Sequence, residues 1–480
     1  MPTPTPVRLF RFAILTAGCF LASCGSSGER TVAQQATKAR STDGSYIAWR
    51  EHLIDDEENA GGVPIRGADG LQMGDLDNDG HADIVSVHED SDHVRVAFAA
   101  KDPGEWFRLS LAEGQEAGAA EDVALGDLNG DGFLDAVIAC EEGHLLYLQN
   151  PAGKVRGFRW ERVIPEVTKN RGSWIRVFLA DFNGDGRAEV VAANKGTSEG
   201  YKPNQDRPST PISWFELPEN PLDGAAWKEH VLTTVKVPIN SQSVDLDGDG
   251  DLDILAGSRN EFRIFWFENL GGEEIRFEEH PISISPAAEG PEVEVQVTGF
   301  NLGFHDFNND GRLDVALASS NWLVWIEQPD DFAEPWTQHP IGTLLPDELV
   351  GFAIADINGD GKMDVMTGAY SRGPRDEDGA ELTVNDALGR LAWFENPGDA
   401  AGTWTRHDIS RRKRGMYDAF IPRDMDGDGD MDFVATRGNS GKYDGVFWLE
   451  QIRSSMALLV FEPARQTDSQ PMSLPSAETP

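Results

Sequence analysis

The sequence predicts an all-β fold, a seven-bladed β-propeller of four-stranded antiparallel blades. Three observations predict it. A nine-residue acidic loop recurs seven times, each copy leads into a short apolar run, and two aromatic segments follow before the next copy begins. The mean spacing is about 58 residues, room for four short strands and their turns. Repetition at that period means neighbouring units share their cores. Radially arranged antiparallel sheets are the propeller solution, and they let a chain of 480 residues avoid splitting into separate domains.

The loops read DLDNDGHAD from Asp75, DLNGDGFLD from Asp127, DFNGDGRAE from Asp181, DLDGDGDLD from Asp245, DFNNDGRLD from Asp306, DINGDGKMD from Asp356 and DMDGDGDMD from Asp424. Calcium takes roughly six to eight hard oxygen ligands, and a short loop supplies them only by wrapping the ion. Carboxylates or amides at positions 1, 3, 5 and 9 and a main-chain carbonyl at position 7 meet that need. The expected ligands of the first loop are Asp75, Asp77, Asp79, Asp83 and the carbonyl of His81. Those of the second are Asp127, Asn129, Asp131, Asp135 and the carbonyl of Phe133. In the third they are Asp181, Asn183, Asp185, Glu189 and the Arg187 carbonyl, with the longer Glu189 altering the last ligand. The fourth offers Asp245, Asp247, Asp249, Asp253 and Asp251, and the fifth Asp306, Asn308, Asp310, Asp314 and Arg312. The sixth offers Asp356, Asn358, Asp360, Asp364 and Lys362, and the seventh Asp424, Asp426, Asp428, Asp432 and Asp430. Position 6 is always Gly, which allows a left-handed backbone. Up to seven structural Ca2+ ions are thus expected as cofactors.

An EF-hand would need Glu at position 12 and flanking helices. Position 12 is instead Ser86, Ile138, Ala192, Ala256, Leu317, Thr367 or Ala435, and the flanks read as strands. EF-hands are excluded.

Each repeat reads as strand A, calcium loop, strand B, strand C and strand D. C segments include LLYLQNP from Leu145, WFENLGG from Trp266 and WFENPG from Trp393. D segments include WKEHVL from Trp227, WTQHPI from Trp336 and WTRHDI from Trp404. Twelve of the thirteen Trp lie in C or D, which makes them packing residues rather than sugar platforms. A D-like segment, WREHLI from Trp49, precedes the first loop, and the last repeat stops after C. Ring closure is therefore expected from residues 47–54 joining the seventh blade. MALLVFE from Met456 competes for that outer position.

The formal charge of −41 is largely a property of the loops, which hold 26 of the 82 acidic residues. It argues against a nucleic-acid partner, which wants a basic footprint. Arg8 and Arg11 precede an apolar stretch from Phe12 to Phe20, as in an export signal. Leu21-Ala22-Ser23-Cys24 resembles the bacterial lipobox, which implies lipidation of Cys24 and a cell-envelope lipoprotein, with Gly25 favouring the outer membrane. An ordinary secretory signal with an incidental Cys is the plainer alternative. The expected organisation is a signal peptide at 1–23, lipidated Cys and flexible tether at 24–45, propeller at 46–452 and a mostly disordered Ser/Pro-rich tail at 453–480. A membrane-anchored monomer is expected. Cys140 has no partner once the signal is removed, so disulfides cannot hold the fold.

With these motifs in view, the chain resembles the FG-GAP/VCBS repeat family, whose calcium-loop propeller repeats also occur in integrin alpha subunits. The resemblance covers about 46–452 in seven copies and implies one calcium in each A–B loop, all on one face. The WFENPG and W-x-x-H-I segments also resemble the propeller part of aldos-2-ulose dehydratase, without its cupin domains. A shared fold does not carry function with it.

The face opposite the loops is expected to hold the function, because its B–C and D–A connections are long: 194–213, 370–390, 437–445 and 283–301. Four of six Tyr lie there, Tyr201, Tyr370, Tyr417 and Tyr443, with Trp174 beside Arg171 and Arg176. Lys195, Lys202, Arg207, Arg372, Arg375, Arg390, Arg437, Lys442 and the run Arg411–Arg414 add positive charge. This composition points to an anionic polysaccharide or an envelope protein as partner, unless the loops are merely solvated. His52, His230, His280, His339 and His407 recur at one D-strand position and are read as structural. His88, His93 and His305, with Tyr201, Tyr417 and Arg411, are the candidates for lyase-type proton abstraction. Two functions result: a non-enzymatic interaction module for glycan or protein, or a polysaccharide lyase or sugar dehydratase acting on the same face.

Overall fold

The computed structural model describes residues 30–157, 159–196, 207–238, 241–465 and 468–476. The expected signal peptide, Cys24, Tyr201 and Lys202 lie outside the described residues. Seven antiparallel sheets follow one another along the chain. Blade 1 has strands Ala68–Gly74, Asp83–His88, His93–Ala99 and Trp106–Glu113, and blades 2 to 6 repeat that order A-B-C-D. The seven A strands line a central channel.

B strands read as unbroken apolar runs because both of their faces are covered. Asp83–His88, Asp135–Cys140 and Asp432–Arg437 are buried at every residue. Between blades 1 and 2 the shared core includes Val96, Phe98, Ile138, Leu146 and Trp160. Cys140 lies in the same core, unpaired and fully buried.

The ring closes as the Trp49 segment predicts. Tyr46–Asp56 pairs antiparallel with the C strand Gly445–Ser454 as the fourth strand of blade 7, with Trp49 opposite Gln451. The competing segment does not displace it: Phe461–Glu462 adds a short parallel strand outside it. In blade 5, part of the long D–A connection is used the same way, as Ile284–Pro286 runs parallel to the outer strand Trp336–Thr343.

Both terminal segments correct the expectations drawn from composition. Within the expected tether, Val32, Thr37, Ala39 and Ser41 are buried. The Thr37 amide donates to the Leu458 carbonyl at 2.9 Å, and the Val460 amide to that of Gln35 at 2.9 Å. The expected disordered tail is anchored as well. The Met472 amide donates to the Arg411 carbonyl at 2.8 Å, and Asp468, 1% exposed, pairs with Arg437 Nη1 at 3.0 Å. A few apolar residues, Val460, Phe461 and Met472, and one buried carboxylate outweigh the Ser/Pro character around them.

Candidate functional site

Five blades share a brace built from the recurring D-strand His. His52, His230, His280, His339 and His407 stack on Trp448, Trp214, Trp266, Trp325 and Trp393, with ring centroids 3.9–4.9 Å apart. Nε2 of His280, His339 and His407 meets Glu268, Glu327 and Glu395 at 2.7, 2.8 and 2.7 Å. Their role is structural.

All seven acidic loops adopt one conformation. The position 1 carboxylate accepts from the position 6 amide in every copy, as Asp75 does from Gly80 at 2.8 Å. In five copies it also accepts from position 5, as from Asp79 at 3.0 Å; in the fourth and seventh it accepts from position 4 instead, Gly248 and Gly427. The position 6 glycines hold φ between 82° and 100°, where a side chain would be strained. Position 4 is also left-handed in every copy, occupied by Asn78, Asn309 or Gly. Its restriction to Asn and Gly is a signal in the sequence that the ligand pattern overshadowed.

Position 9 is buried in each copy and, in the six copies where it is Asp, joins the loop to the end of strand C. Asp83 accepts from the Leu76 amide at 3.0 Å and from the Ala99 amide at 2.9 Å. Burial, opposed by these hydrogen bonds, pushes the position 9 carboxyls up to about 7 in Asp83, Glu189, Asp253, Asp314 and Asp432, about 6 in Asp135 and about 8 in Asp364. The loops also explain the Asn or Gln that ends strand C. Asn150, Asn269, Gln328 and Gln451 donate from their side-chain amides to the position 2 carbonyls of Leu76, Phe182, Leu246 and Ile357 in the preceding blade, at 2.8–3.0 Å. Asn269→Ala should therefore lower unfolding free energy by about 2 kcal/mol, since the carbonyls of Phe182 and Leu252 lose their donor. Urea denaturation measures it, and a change within ±0.5 kcal/mol would remove the latch.

As donor sets the loops suit a hard cation. In Asp75/Asp77/Asp83, Asp245/Asp247/Asp253 and Asp424/Asp426/Asp432, one oxygen from each residue lies within 4.8 Å of the other two. Oδ1 of Asp77 and of Asp430 are buried without hydrogen-bond partners. The remaining loops place Asn at position 3, an amide oxygen in the same place. Basic side chains approach four loops: Arg156 lies 3.2 Å from Asp77, Lys362 3.5 Å from Asp360 and Arg453 3.6 Å from Asp430, and Arg312 pairs with Asp310.

The profile of the FG-GAP-like repeat matches residues 75–138, 127–192 and 306–367. The propeller carries FG-GAP-like repeats. Each match starts at the first Asp of one loop and ends within strand B after the next, so it takes in one blade junction. No curated protein matches the chain. Among solved structures, the FG-GAP propeller is similar to a lectin of Agrocybe aegerita described as recognising non-reducing terminal N-acetylglucosamine, at 14% identity and TM-score 0.46, covering 85% of this chain and 95% of that one. It is also similar to YCF48 from Cyanidioschyzon merolae, at 12% identity and TM-score 0.47, covering 84% and 98%. At such scores the likeness is one of outline.

The opposite face of the FG-GAP propeller differs from its expected character. Arg390, Arg411, Arg412, Lys413, Arg414 and Arg437 are buried, not displayed. Asp347 receives Arg411 Nε at 2.7 Å and Arg390 Nη1 at 3.4 Å, and Glu51 receives Arg437 at 3.0 Å and Arg412 at 3.3 Å. Lys195, Arg372 and Arg375 pair with Glu141, Glu348 and Asp90. The basic run lies at the end of blade 6 strand D, where the C-terminal segment covers it. Trp174 is also fully buried.

The residues considered for proton abstraction are not brought together. His88 is fully buried, its Nε2 3.1 Å from Ser86 Oγ, and burial holds it down to about 3. His93 stands opposite it and contacts the Ser91 carbonyl at 2.5 Å. His305 lies edge-on to Phe307, and burial lowers its pKa. Tyr417 is 1% exposed against Phe447. Among the described residues no hydrogen bond or ion pair joins these histidines to Tyr417 or Arg411.

What this face does present is the mouth of the channel, a cavity of about 330 Å³ lined by residues of all seven A strands. Asp69, Asp122, Arg176, Ser241, Asn301 and Asp418 give it polar character, while Leu71, Val177, Leu302 and Phe352 make the rest apolar.

Proposed function

We propose that the protein is a calcium-stabilised interaction module of the bacterial cell envelope, anchored through Cys24 and binding a glycan or protein ligand at its long-loop face. The observation that carries this reading is the division of labour between the two faces. One is committed to seven loops whose side chains are turned to their own backbone. The other combines long connections with a polar channel mouth on a rigid ring. The buried ion pairs withdraw most of the positive charge that an anionic polymer would need, so the ligand is better matched by hydrogen bonding than by charge. In this reading Ca2+ is held by the four side-chain positions and one carbonyl of each loop, and its chemistry is electrostatic neutralisation of the converging carboxylates.

The test is calorimetric titration of the purified protein with neutral and uronic-acid polysaccharides and with solubilised envelope fractions. Ligand binding should disappear in Asn301→Ala and Lys442→Glu variants that keep the wild-type melting temperature. Binding that survives both substitutions would place the ligand elsewhere. For the anchor, labelling with a fatty-acid probe should be lost in Cys24→Ser, and retained label would refute it.

A further inference from the structure

Strand A of blade 1 and strand A of blade 2 each shift register where they enter the channel, at Asp69 and at Glu121. Glu89 comes from the short turn after strand B of blade 1. One oxygen from each of Asp69, Glu89 and Glu121 lies within 4.8 Å of the other two. Asp69 is 7% exposed, and its Oδ2 has no hydrogen-bond partner. The fold forces this proximity. A Cβ on Gly70 would come 2.8 Å from the Glu121 carbonyl oxygen and 3.0 Å from Asp122 Cα, so only glycine permits the two strands to approach so closely.

The nearby cations make their close pairs with other acids, while Lys195 and Arg176 still favour the charged form of Glu121, and Lys195 and Arg375 that of Glu89. Lys195 pairs with Glu141 and Arg375 with Asp90, while Arg176 lies 3.7 Å from Asp122 and 3.3 Å from the Asn301 Oδ1. Burial and then the neighbouring carboxylates raise the pKa of all three acids, Glu121 to about 8. Asp418 adds a fourth carboxylate against Asp69. These cations offset only part of the repulsion, and none acts on Asp69, so the buried acids still call for a directly bound counterion.

We propose that Asp69, Glu89 and Glu121 form a divalent-cation site at the channel mouth, distinct from the seven A–B loops. An all-carboxylate donor set selects a hard ion of the calcium, magnesium or manganese class. Oxygens on opposite sides of a calcium ion are about 4.8 Å apart, the sum of two ordinary bond lengths. Three carboxylates leave part of the shell open to water or to ligand hydroxyls.

Equilibrium dialysis of the chelated full-length protein against Mn2+, with bound metal counted by mass spectrometry, tests the site. Asp69→Asn/Glu121→Gln should lose one equivalent relative to wild type while keeping its melting temperature. If the A–B loops bind nothing, wild type takes one ion and the variant none, so failure of the loop assignment is told apart from failure of this one. Should the double variant not fold, Glu89→Gln alters only the turn residue and should weaken the same equivalent at least tenfold. Equal metal content and affinity in wild type and variants would overturn the proposal and leave the three acids sharing a proton instead.

Discussion

Stripped of divalent cations, the protein should melt on the order of 10 °C lower at pH 8 than at pH 5. The cause is the set of position 9 carboxyls, whose folded pKa values lie at about 6 to about 8 in six buried Asp and Glu189. Each binds its proton more tightly in the folded than in the unfolded chain, so the folded state holds more protons over that window and stability falls as pH rises. The contribution is complete below the ordinary carboxylate pKa of about 4 and gone above about 8. With the proposed calcium in the loops the trend should reverse, since the ion would replace the proton on a carboxylate that has to be ionised to bind it. The gain on adding calcium should therefore be larger at pH 8 than at pH 5. Calorimetric melting at both pH values, with and without calcium, measures all four states. A chelated protein that melts no lower at pH 8 would show that these carboxyls are not frustrated without metal.

Asp347→Ala should lower unfolding free energy by about 3–5 kcal/mol. Asp347 is wholly buried and is shared by Arg390 and Arg411, themselves 0% and 1% exposed. It also accepts from the Leu388 amide at 2.8 Å. Arg390 keeps Asp408 at 2.6 Å, but Arg411 would be left with the carbonyls of Val384, Asp386 and Ser473 alone. Those same contacts tie the blade 6 B–C connection and the C-terminal segment to strand D. Hydrogen exchange should rise first in residues 372–388 and 468–476. Asp347→Asn, which keeps the shape and loses the charge, should fall between wild type and Ala. A loss under 1 kcal/mol for Ala would mean that water reaches the two guanidinium groups.

The ring was legible in the sequence because its signals are periodic. Gly80 and its six counterparts mark the loops, Trp and His at fixed offsets mark strands C and D, and WREHLI ahead of the first loop discloses the closure. What the sequence hid is set by single contacts between distant residues. Nothing in Arg411-Arg412-Lys413-Arg414 tells a displayed patch from a buried one, because the partners Asp347, Glu51, Asp378 and Asp468 lie 36 to 361 residues away. Phe461, Asp468 and Met472 likewise order a segment whose composition predicts a loose tail. The channel-mouth acids were missed for the same reason. Asp69, Glu89 and Glu121 belong to no motif and meet only through Gly70.

The antiparallel pairing of Tyr46–Asp56 with Gly445–Ser454 has a mechanical consequence. A tug on the N-terminal end runs along this strand, so its ladder of hydrogen bonds is sheared all at once instead of being unzipped one by one. A chain tethered by that end would carry load through its own clasp, with Phe461–Glu462 bracing the outer side, and blade 7 would yield before the other six feel the strain.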